Sequence, residues 1–126
     1  MKNQMKPSST IINMRLPSFN DYTNVNRGDK YAAAKLKRET EDAILWFIKS
    51  MPRYDRRIDM EITWFEETKR RDPDNVYSAV KFILDAMTRA GKIHDDSQRY
   101  VRDITNRIRN DTKTYCIVYI KEVEDE

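Results

Sequence analysis

Apolar and polar residues alternate in two parts of the chain, residues 10–16 and residues 58–64. A period of two places every second side chain on the same face of a β-strand, so that one face is buried and the other is solvated. Pro17 follows the first part, and proline has no backbone N–H to donate to a neighbouring strand. We therefore predict a strand in each part, with the first one ending at Pro17.

In two longer segments, residues 30–50 and residues 75–90, the apolar residues recur at intervals of three and four instead. This spacing places them on one side of an α-helix and predicts two amphipathic helices. The first is expected to end at Pro52, because proline disfavours a helical residue before it. Gly91 stands directly after the second, where a glycine commonly ends a helix.

The remaining segments predict a loop and two further strands. Residues 17–29 contain proline, serine, asparagine and glycine with few apolar side chains, which is typical of an exposed loop. The residues near 100–108 and in 115–121, separated by a turn at 110–111, predict one strand on each side of that turn. The order strand, helix, strand, helix, strand, strand predicts an α+β fold, with a small mixed sheet of about four strands and two main helices.

The length of 126 residues fits a single domain over 1–126, with a loose N-terminus at 1–9 and an acidic tail at 122–126. Lys and Arg total 24 against 21 for Asp and Glu, a net charge of +3, and four of the acids lie in the tail. A basic body of this kind is compatible with a polyanionic partner, and equally with a solvated surface of mixed charge. No apolar run approaches the roughly 20 residues of a membrane span, and no hydrophobic signal region follows residues 1–6. A secreted or membrane protein is therefore disfavoured.

The chain contains one cysteine, Cys116, and one histidine, His94. A single cysteine excludes an intrachain disulfide, and the two counts together exclude a metal site built from cysteine and histidine. A bound metal must therefore be a hard cation with oxygen ligands, such as Mg²⁺ or Mn²⁺. Cys116 lies in a strand pattern and is expected to pack as a small apolar residue, and His94 is expected in a solvated loop.

The sequence R-D-P-D-N at 71–75, where the second helix starts, permits two interpretations. In the structural one, Asp72 is the N-cap, Pro73 is the first helical residue, and Asp74 is a first-turn acid that complements the helix dipole. In the functional one, Pro73 holds Asp72 extended, so that Asp72 and Asp74 point to the same side and share a divalent cation. Asp96, beyond the far end of the helix, joins them only if the chain runs back along that helix.

Three segments of this region resemble the RusA family of Holliday-junction resolvases. They read R-R-D-P-D-N at 70–75, K-F-I-L-D-A-M at 81–87 and A-G-K-I-H-D-D-S-Q at 90–98. Upstream, the segments similar to the N-terminal loop of the family are L-P-S-F-N at 16–20 and N-R-G at 26–28. The resemblance covers most of the chain and is densest in the first three segments, which occur in the order that the family has.

The resemblance implies a crossover junction endodeoxyribonuclease that depends on Mg²⁺, or on Mn²⁺ in its place, and acts in recombination and repair in the cytoplasm of a bacterial host cell. Members of the family are small homodimers that bind four-way DNA junctions and cut two strands symmetrically. The metal-binding aspartates of the family correspond to Asp72, Asp74 and Asp96. Its lysine, four residues before the aspartate of L-D-A, corresponds to Lys81; counted forward from D-P-D-N, the same position falls on Ser78.

Basic residues precede the acidic motif and recur in two other regions. We expect DNA phosphates to be bound by Lys69, Arg70, Arg71 and Arg27, with an affinity that falls as salt rises. The second region comprises Arg27, Lys30, Lys35, Lys37 and Arg38, and the third comprises Arg99, Arg102, Arg107 and Arg109. For the third region, solubilising charge is the favoured interpretation.

Two alternatives to a junction resolvase stay open at this point. One is a nuclease for flaps, forks or other branched DNA, and the other is a non-catalytic DNA-binding or replication-accessory protein in which D-P-D-N only begins a helix. Without the resemblance, Lys81 is expected to form an ion pair with Asp85, four residues further along the helix. Trp46, Trp64 and Tyr31 are candidates for a dimer interface, since large aromatic side chains are common there.

Overall fold

A computed structural model describes the backbone of residues 7–124 and their side chains except at positions 25 and 26. Its elements are β1 (Ser8–Ile12), α1 (Phe19–Gly28), α2 (Lys30–Phe47), β2 (Ile58–Glu66), α3 (Pro73–Tyr77), α4 (Val80–Arg89), β3 (Val101–Asn110) and β4 (Tyr115–Glu122). The strands form one sheet in the order β1-β4-β2-β3, in which β2 and β3 are parallel and the other neighbours are antiparallel. The fold is therefore α+β with a mixed four-stranded sheet, as predicted.

The parallel pairing of β2 and β3 determines where the candidate residues lie. Adjacent parallel strands need a crossover connection, and α3 and α4 supply it. The core combines one face of the sheet with the apolar sides of α2 and α4. In β2 the buried positions alternate as predicted, at Ile58, Met60, Ile62 and Trp64. No helix within residues 7–124 is both long and apolar enough to cross a membrane.

The segment predicted to be an exposed loop, residues 17–29, is helical over α1, and the loop prediction is wrong. Ser18 and Asp21 form a reciprocal cap at its start, in which Ser18 N donates to Asp21 Oδ2 at 2.9 Å and Asp21 N donates to Ser18 Oγ at 3.0 Å. Tyr22 then packs edge-on against Phe82 of α4, with ring centroids 6.4 Å apart. The cap and this tertiary contact outweigh the weak helix propensity of the asparagine-rich sequence.

The second predicted helix is divided into α3 and α4. At the junction the backbone bonds shorten to an i→i+3 pattern, with Lys81 N donating to the Ser78 carbonyl oxygen and Phe82 N to the Ala79 carbonyl oxygen. Ser78 Oγ donates to the Asn75 carbonyl oxygen at 2.7 Å, so the side chain competes with the helical backbone for that acceptor. The regular helical hydrogen bonding is therefore interrupted between Tyr77 and Val80, shortly after the D-P-D-N motif.

Both ends of the described chain are more ordered than predicted. Ser8 already pairs with Ile120 of β4, so β1 begins within the stretch predicted to be loose, and residues 1–6 of that stretch lie outside the described residues. β1 ends at Ile12, earlier than the predicted end at Pro17. Glu122, assigned to the acidic tail, is a buried residue of β4 because this strand continues alongside β2 to pair with Ile58.

Gly91 ends α4 in the left-handed conformation, with φ at 70°. Lys92 N donates to the Met87 carbonyl oxygen and Gly91 N to the Thr88 carbonyl oxygen, which is the Schellman arrangement.

We expect Gly91→Ala to lower the free energy of unfolding by about 1–2 kcal/mol, because a side chain disfavours this backbone conformation. Urea denaturation measures the change. Gly28→Ala is the control, since nothing lies within 4 Å of the added carbon and its φ is not in the strained range; an equal loss in both variants would contradict the assignment.

Arg102 of β3 binds Asp59 of β2 through two hydrogen bonds of 3.0 and 2.6 Å. These bonds lower the pKa of the Asp59 carboxyl below its ordinary value of 3.8. A lowered folded-state pKa stabilises the protein above the ordinary pKa, and this stabilisation is lost as the pH falls through the folded value. We expect Asp59→Asn to lower stability by about 1 kcal/mol at pH 7 and to match the wild type in strong acid. Thermal unfolding as a function of pH checks this, with the more exposed Glu61→Gln as control; a difference independent of pH would refute it.

Candidate functional site

Arg71 anchors the loop that carries the acidic motif. Its guanidinium donates to both carboxylate oxygens of Glu66 at the end of β2, at 2.9 and 2.7 Å, and to the carbonyl oxygen of Leu16 at 3.1 Å. Both side chains of the ion pair are largely buried, so water screens it little. Because Asp72 is the next residue, this ion pair holds the start of the acidic motif against the sheet. Arg71 thus has a structural role, and its contact with DNA stays a prediction.

Asp72 enters α3 in an extended conformation, with φ at −66° and ψ at 148°, as expected before Pro73. Its carbonyl oxygen accepts a helical hydrogen bond from Val76 N, but its side chain makes no capping hydrogen bond. The structural interpretation therefore accounts for the backbone of the motif and leaves the carboxylate unexplained. Asp74, in the first turn, is also exposed, and within residues 7–124 neither carboxylate has a hydrogen-bond or ion-pair partner.

Lys81 joins two acids at the start of α4. Its Nζ donates to Asp85 Oδ1 at 3.0 Å and to Asp96 Oδ2 at 3.2 Å. Both hydrogen bonds raise the pKa of Lys81, the one to Asp85 most, so the ammonium group stays charged at neutral pH. The ion pair with Asp85 that the helical spacing predicts is confirmed. Of the two positions considered for the lysine, Lys81 contacts Asp96, whereas Ser78 Oγ accepts from Phe19 N at 2.8 Å.

Asp96 reaches Lys81 because the chain reverses after α4. Gly91 turns it, and the Lys92 carbonyl oxygen then accepts from Tyr54 N at 2.7 Å, which holds the returning segment. Ala90 lies nine residue steps after Lys81, which corresponds to about 14 Å along a helix, and the returning chain covers this length. The chain therefore runs back along the helix as far as Lys81, which meets in part the condition for Asp96 to join Asp72 and Asp74.

A row of alternating charges extends from Lys81 to α2, and the sequence did not predict it. Asp85 Oδ2 lies 3.8 Å from Lys37 Nζ, and the same Nζ lies 3.8 Å from Oε2 of the buried Glu41. Glu41 Oε1 accepts from Arg89 at 3.1 Å, while no hydrogen bond reaches its Oε2 from any described residue. The available signal was the position of Glu41, three residues before the buried Ile44 on the core side of the helix.

The N-terminus of α1 connects the acidic motif with Lys81. Asn20 Nδ2 donates to Asn75 Oδ1, beside Asp74, and Phe19 N donates to Ser78 at the junction of α3 and α4. The Phe19 side chain lines a cavity of about 150 Å³ that also borders Lys81. A segment predicted to be an exposed loop therefore forms one wall of the candidate site.

The fit of Mg²⁺, the cation that the resemblance implies, depends on the oxygens available. Mg²⁺ usually takes one or two protein carboxylates and keeps several waters. Asp72 and Asp74 supply exposed carboxylates that no described residue engages. In the described part of the chain, however, no three acids or other ligand residues are gathered around one point, and Asp96 contacts Lys81 instead. The aspartate pair fits Mg²⁺ chemically, while the predicted set of three is not assembled.

Some of the basic residues considered for DNA binding are exposed, and others form ion pairs with neighbouring acids. Lys69, Arg70 and Arg27 are exposed. In the second basic region Lys35 pairs with Glu39, four residues later. The third region is bound to neighbouring residues at three positions, through the pairs Arg102–Asp59 and Arg107–Glu61 and the bond from Arg109 to the Ile108 carbonyl oxygen. These contacts agree with the interpretation that the charges of the third region serve solubility, and two of them pair with residues of the neighbouring strand β2.

The remaining candidate side chains differ in how far they are buried. Trp64 is buried in the core and donates to Asn106, so its assignment to a dimer interface is wrong. Trp46 and Tyr31 are 68% and 90% exposed, and they stay candidates. Cys116 is buried, which raises the pKa of its thiol to about 12 and agrees with its predicted packing.

His94 is exposed, as predicted for a solvated loop, and its ring lies 5.0 Å from that of Tyr100. The structure gives it no contact with Asp72, Asp74 or Lys81.

Comparison with known proteins does not identify a family for this chain. No family model matches it, and no curated protein matches it either.

Proposed function

We propose that the protein is a Mg²⁺-dependent, structure-specific endonuclease that resolves four-way DNA junctions. The observation that carries the proposal is the exposed Asp72 carboxylate, which makes no capping bond although it stands at a helix N-terminus. The side chain of an N-cap aspartate normally accepts a hydrogen bond from a backbone N–H of the first helical turn. The Asp72 carboxylate accepts none, so it is available, next to Asp74, for a ligand. The Lys81–Asp96 pair along the same connection supplies a fixed cation.

In the proposed reaction Asp72 and Asp74 would hold the cation. Asp96, the third ligand that the resemblance implies, is hydrogen-bonded to Lys81 in the structure and is not gathered with the other two acids. When bound, Mg²⁺ supplies charge neutralisation at the phosphate and lowers the pKa of the attacking water. Lys81 stabilises the negative charge that develops on the phosphate, because its raised pKa keeps it protonated. Asp85 holds the Lys81 ammonium in place.

The exposed Lys69, Arg70 and Arg27 are proposed to bind DNA phosphates near this site. They position the duplex arms without reading bases, so recognition depends on the shape of the branched DNA. A homodimer is proposed because a four-way junction has approximate two-fold symmetry, and a two-fold dimer presents two matching sites to it.

The test is cleavage of a synthetic four-way junction whose four strands are labelled one at a time. Symmetrically paired nicks that require Mg²⁺ or Mn²⁺ are expected. Forks and flaps built from the same arm sequences test the alternative substrates, and faster cutting of these would replace the junction as the substrate. Junctions that stay intact at every metal concentration would contradict nuclease activity.

A second candidate function is a non-catalytic protein that binds branched DNA. The observation that favours it is that three acids are not gathered around one point in the described residues. It predicts DNA binding that does not depend on metal and a melting temperature that Mg²⁺ leaves unchanged. The nuclease proposal instead predicts a higher melting temperature with Mg²⁺, because a cation that binds only the folded state stabilises it. Loss of that increase in Asp72→Asn would assign it to this site.

A further inference from the structure

The cavity beside Lys81 is lined by aromatic and charged side chains. Phe19 and Tyr22 of α1 lie edge-on with ring centroids 5.5 Å apart, and Tyr22 lies edge-on to Phe82 of α4 at 6.4 Å. Phe82 is buried while Phe19 is 37% exposed, so the three rings lead from the core to the surface. Lys37, Lys81 and Asp85 also line the cavity. The cavity therefore offers both aromatic surface and charged groups that can form hydrogen bonds.

The size of the cavity limits what it can hold. Its volume of about 150 Å³ is well below the roughly 300–1,000 Å³ of sites for drug-sized ligands. A single planar ring system therefore suits it better than a larger ligand. Aromatic walls favour such a ring, because stacked and edge-on arrangements of aromatic groups are both attractive.

The charged residues that line the cavity are paired with groups of opposite charge, which suits a neutral occupant that can form hydrogen bonds. Lys81 is bonded to Asp85 and Asp96, and Lys37 lies 3.8 Å from carboxylate oxygens of both Asp85 and Glu41. A nucleobase carries no charge, and its edge groups can accept from an ammonium and donate to a carboxylate.

We propose that this cavity receives one unpaired nucleobase of the bound DNA. The inference rests on the proposed function only in taking branched DNA as the partner. Proteins that bind unpaired strands stack their bases on aromatic side chains, and enzymes that act on DNA hold extruded bases in pockets with aromatic walls. Lys81 borders the cavity and contacts Asp96, so the captured base would lie next to the group proposed to hold the cleaved phosphate. Base capture would thereby select which phosphate is cut.

The test compares DNA affinity with and without the base, in EDTA so that cleavage plays no part. A labelled fork or junction is prepared with an abasic site at each position around the branch point in turn, and fluorescence polarisation gives the dissociation constants. At one position we expect the abasic DNA to bind the wild-type protein about fivefold to 100-fold more weakly. Phe19→Ala should bind both DNAs equally, and Phe19→Trp should restore the preference.

Tyr115→Ala is the matched control, because Tyr115 is a half-buried aromatic residue of β4 that stacks on Phe65 and does not line the cavity. It should keep the wild-type preference. Equal affinity for intact and abasic DNA at every position would overturn base capture, and so would an equal preference in the Phe19→Ala and wild-type proteins. Base-dependent binding without any cleavage in Mg²⁺ would support the cavity assignment while refuting the nuclease, and cleavage without base dependence would do the reverse.

Discussion

Asp74→Asn is expected to reduce cleavage of a four-way junction by about 10³-fold in Mg²⁺. The amide removes the negative charge that the cation requires, and a bound metal contributes several kcal/mol to stabilising the transition state. Each 1.36 kcal/mol changes the rate about tenfold. The fold should be retained, because the Asp74 side chain is exposed and has no hydrogen-bond or ion-pair partner among the described residues. Single-turnover cleavage of labelled junctions measures the rate.

Glu39→Gln is the matched control for this experiment. Glu39 is an exposed acid, as Asp74 is. It lies on α2, outside the acidic motif, and pairs with Lys35. We expect it to cleave at the wild-type rate. A folded Asp74→Asn protein with full activity would exclude the D-P-D-N motif as the metal site. A loss of equal size in Glu39→Gln would show only that charge in general affects DNA binding.

Arg71→Met is expected to lower the free energy of unfolding by about 3 kcal/mol. It would leave Glu66, whose side chain is 8% exposed, as a buried carboxylate without its ion pair. Removing one partner of a buried ion pair costs about 3–5 kcal/mol, because the remaining charge is neither solvated nor compensated. The Leu16 carbonyl oxygen would lose a hydrogen bond as well. Urea denaturation followed by circular dichroism measures the loss.

The double variant Arg71→Met/Glu66→Leu should recover most of that stability, since replacing both charges by apolar groups is often nearly neutral. Arg70→Met is the control, because Arg70 is exposed and one residue away. Equal stability of Arg71→Met and Arg70→Met would contradict a structural role for Arg71. A double variant no more stable than Arg71→Met would show that the loss does not come from the unpaired Glu66.

The regular elements with strong periodicity were predictable from local sequence. The alternation in β2 and the helical spacing in α2 each place a set of apolar side chains on one face, and the fold buries those faces as predicted. α1 was missed because its apolar residues are few and the helix packs against α2, with Tyr22 also touching Phe82 of α4. The Ser18–Asp21 cap was visible in the sequence, but an aspartate replaces the usual glutamate or glutamine of that motif.

The residues of the candidate site also differ in whether the sequence alone makes them stand out. Asp72 and Asp74 stand out in the sequence, because Pro73 between them determines the local backbone. Glu41 does not stand out, since it looks like one more charged residue of an amphipathic helix. Its burial follows from how α2 packs against α4, where Arg89 reaches it.

The sequence by itself determined the α+β class, the extended entry of Asp72 into its helix and the left-handed turn at Gly91. Each depends on the preferences of a few neighbouring residues, which act whatever the rest of the chain does. Only the tertiary structure decided that Asp96 contacts Lys81, that Arg71 pairs with Glu66 and that α1 lines a cavity beside Lys81. These contacts join residues far apart in the chain, and their geometry depends on the packing of the whole domain, because local preferences do not specify how helices are placed on a sheet.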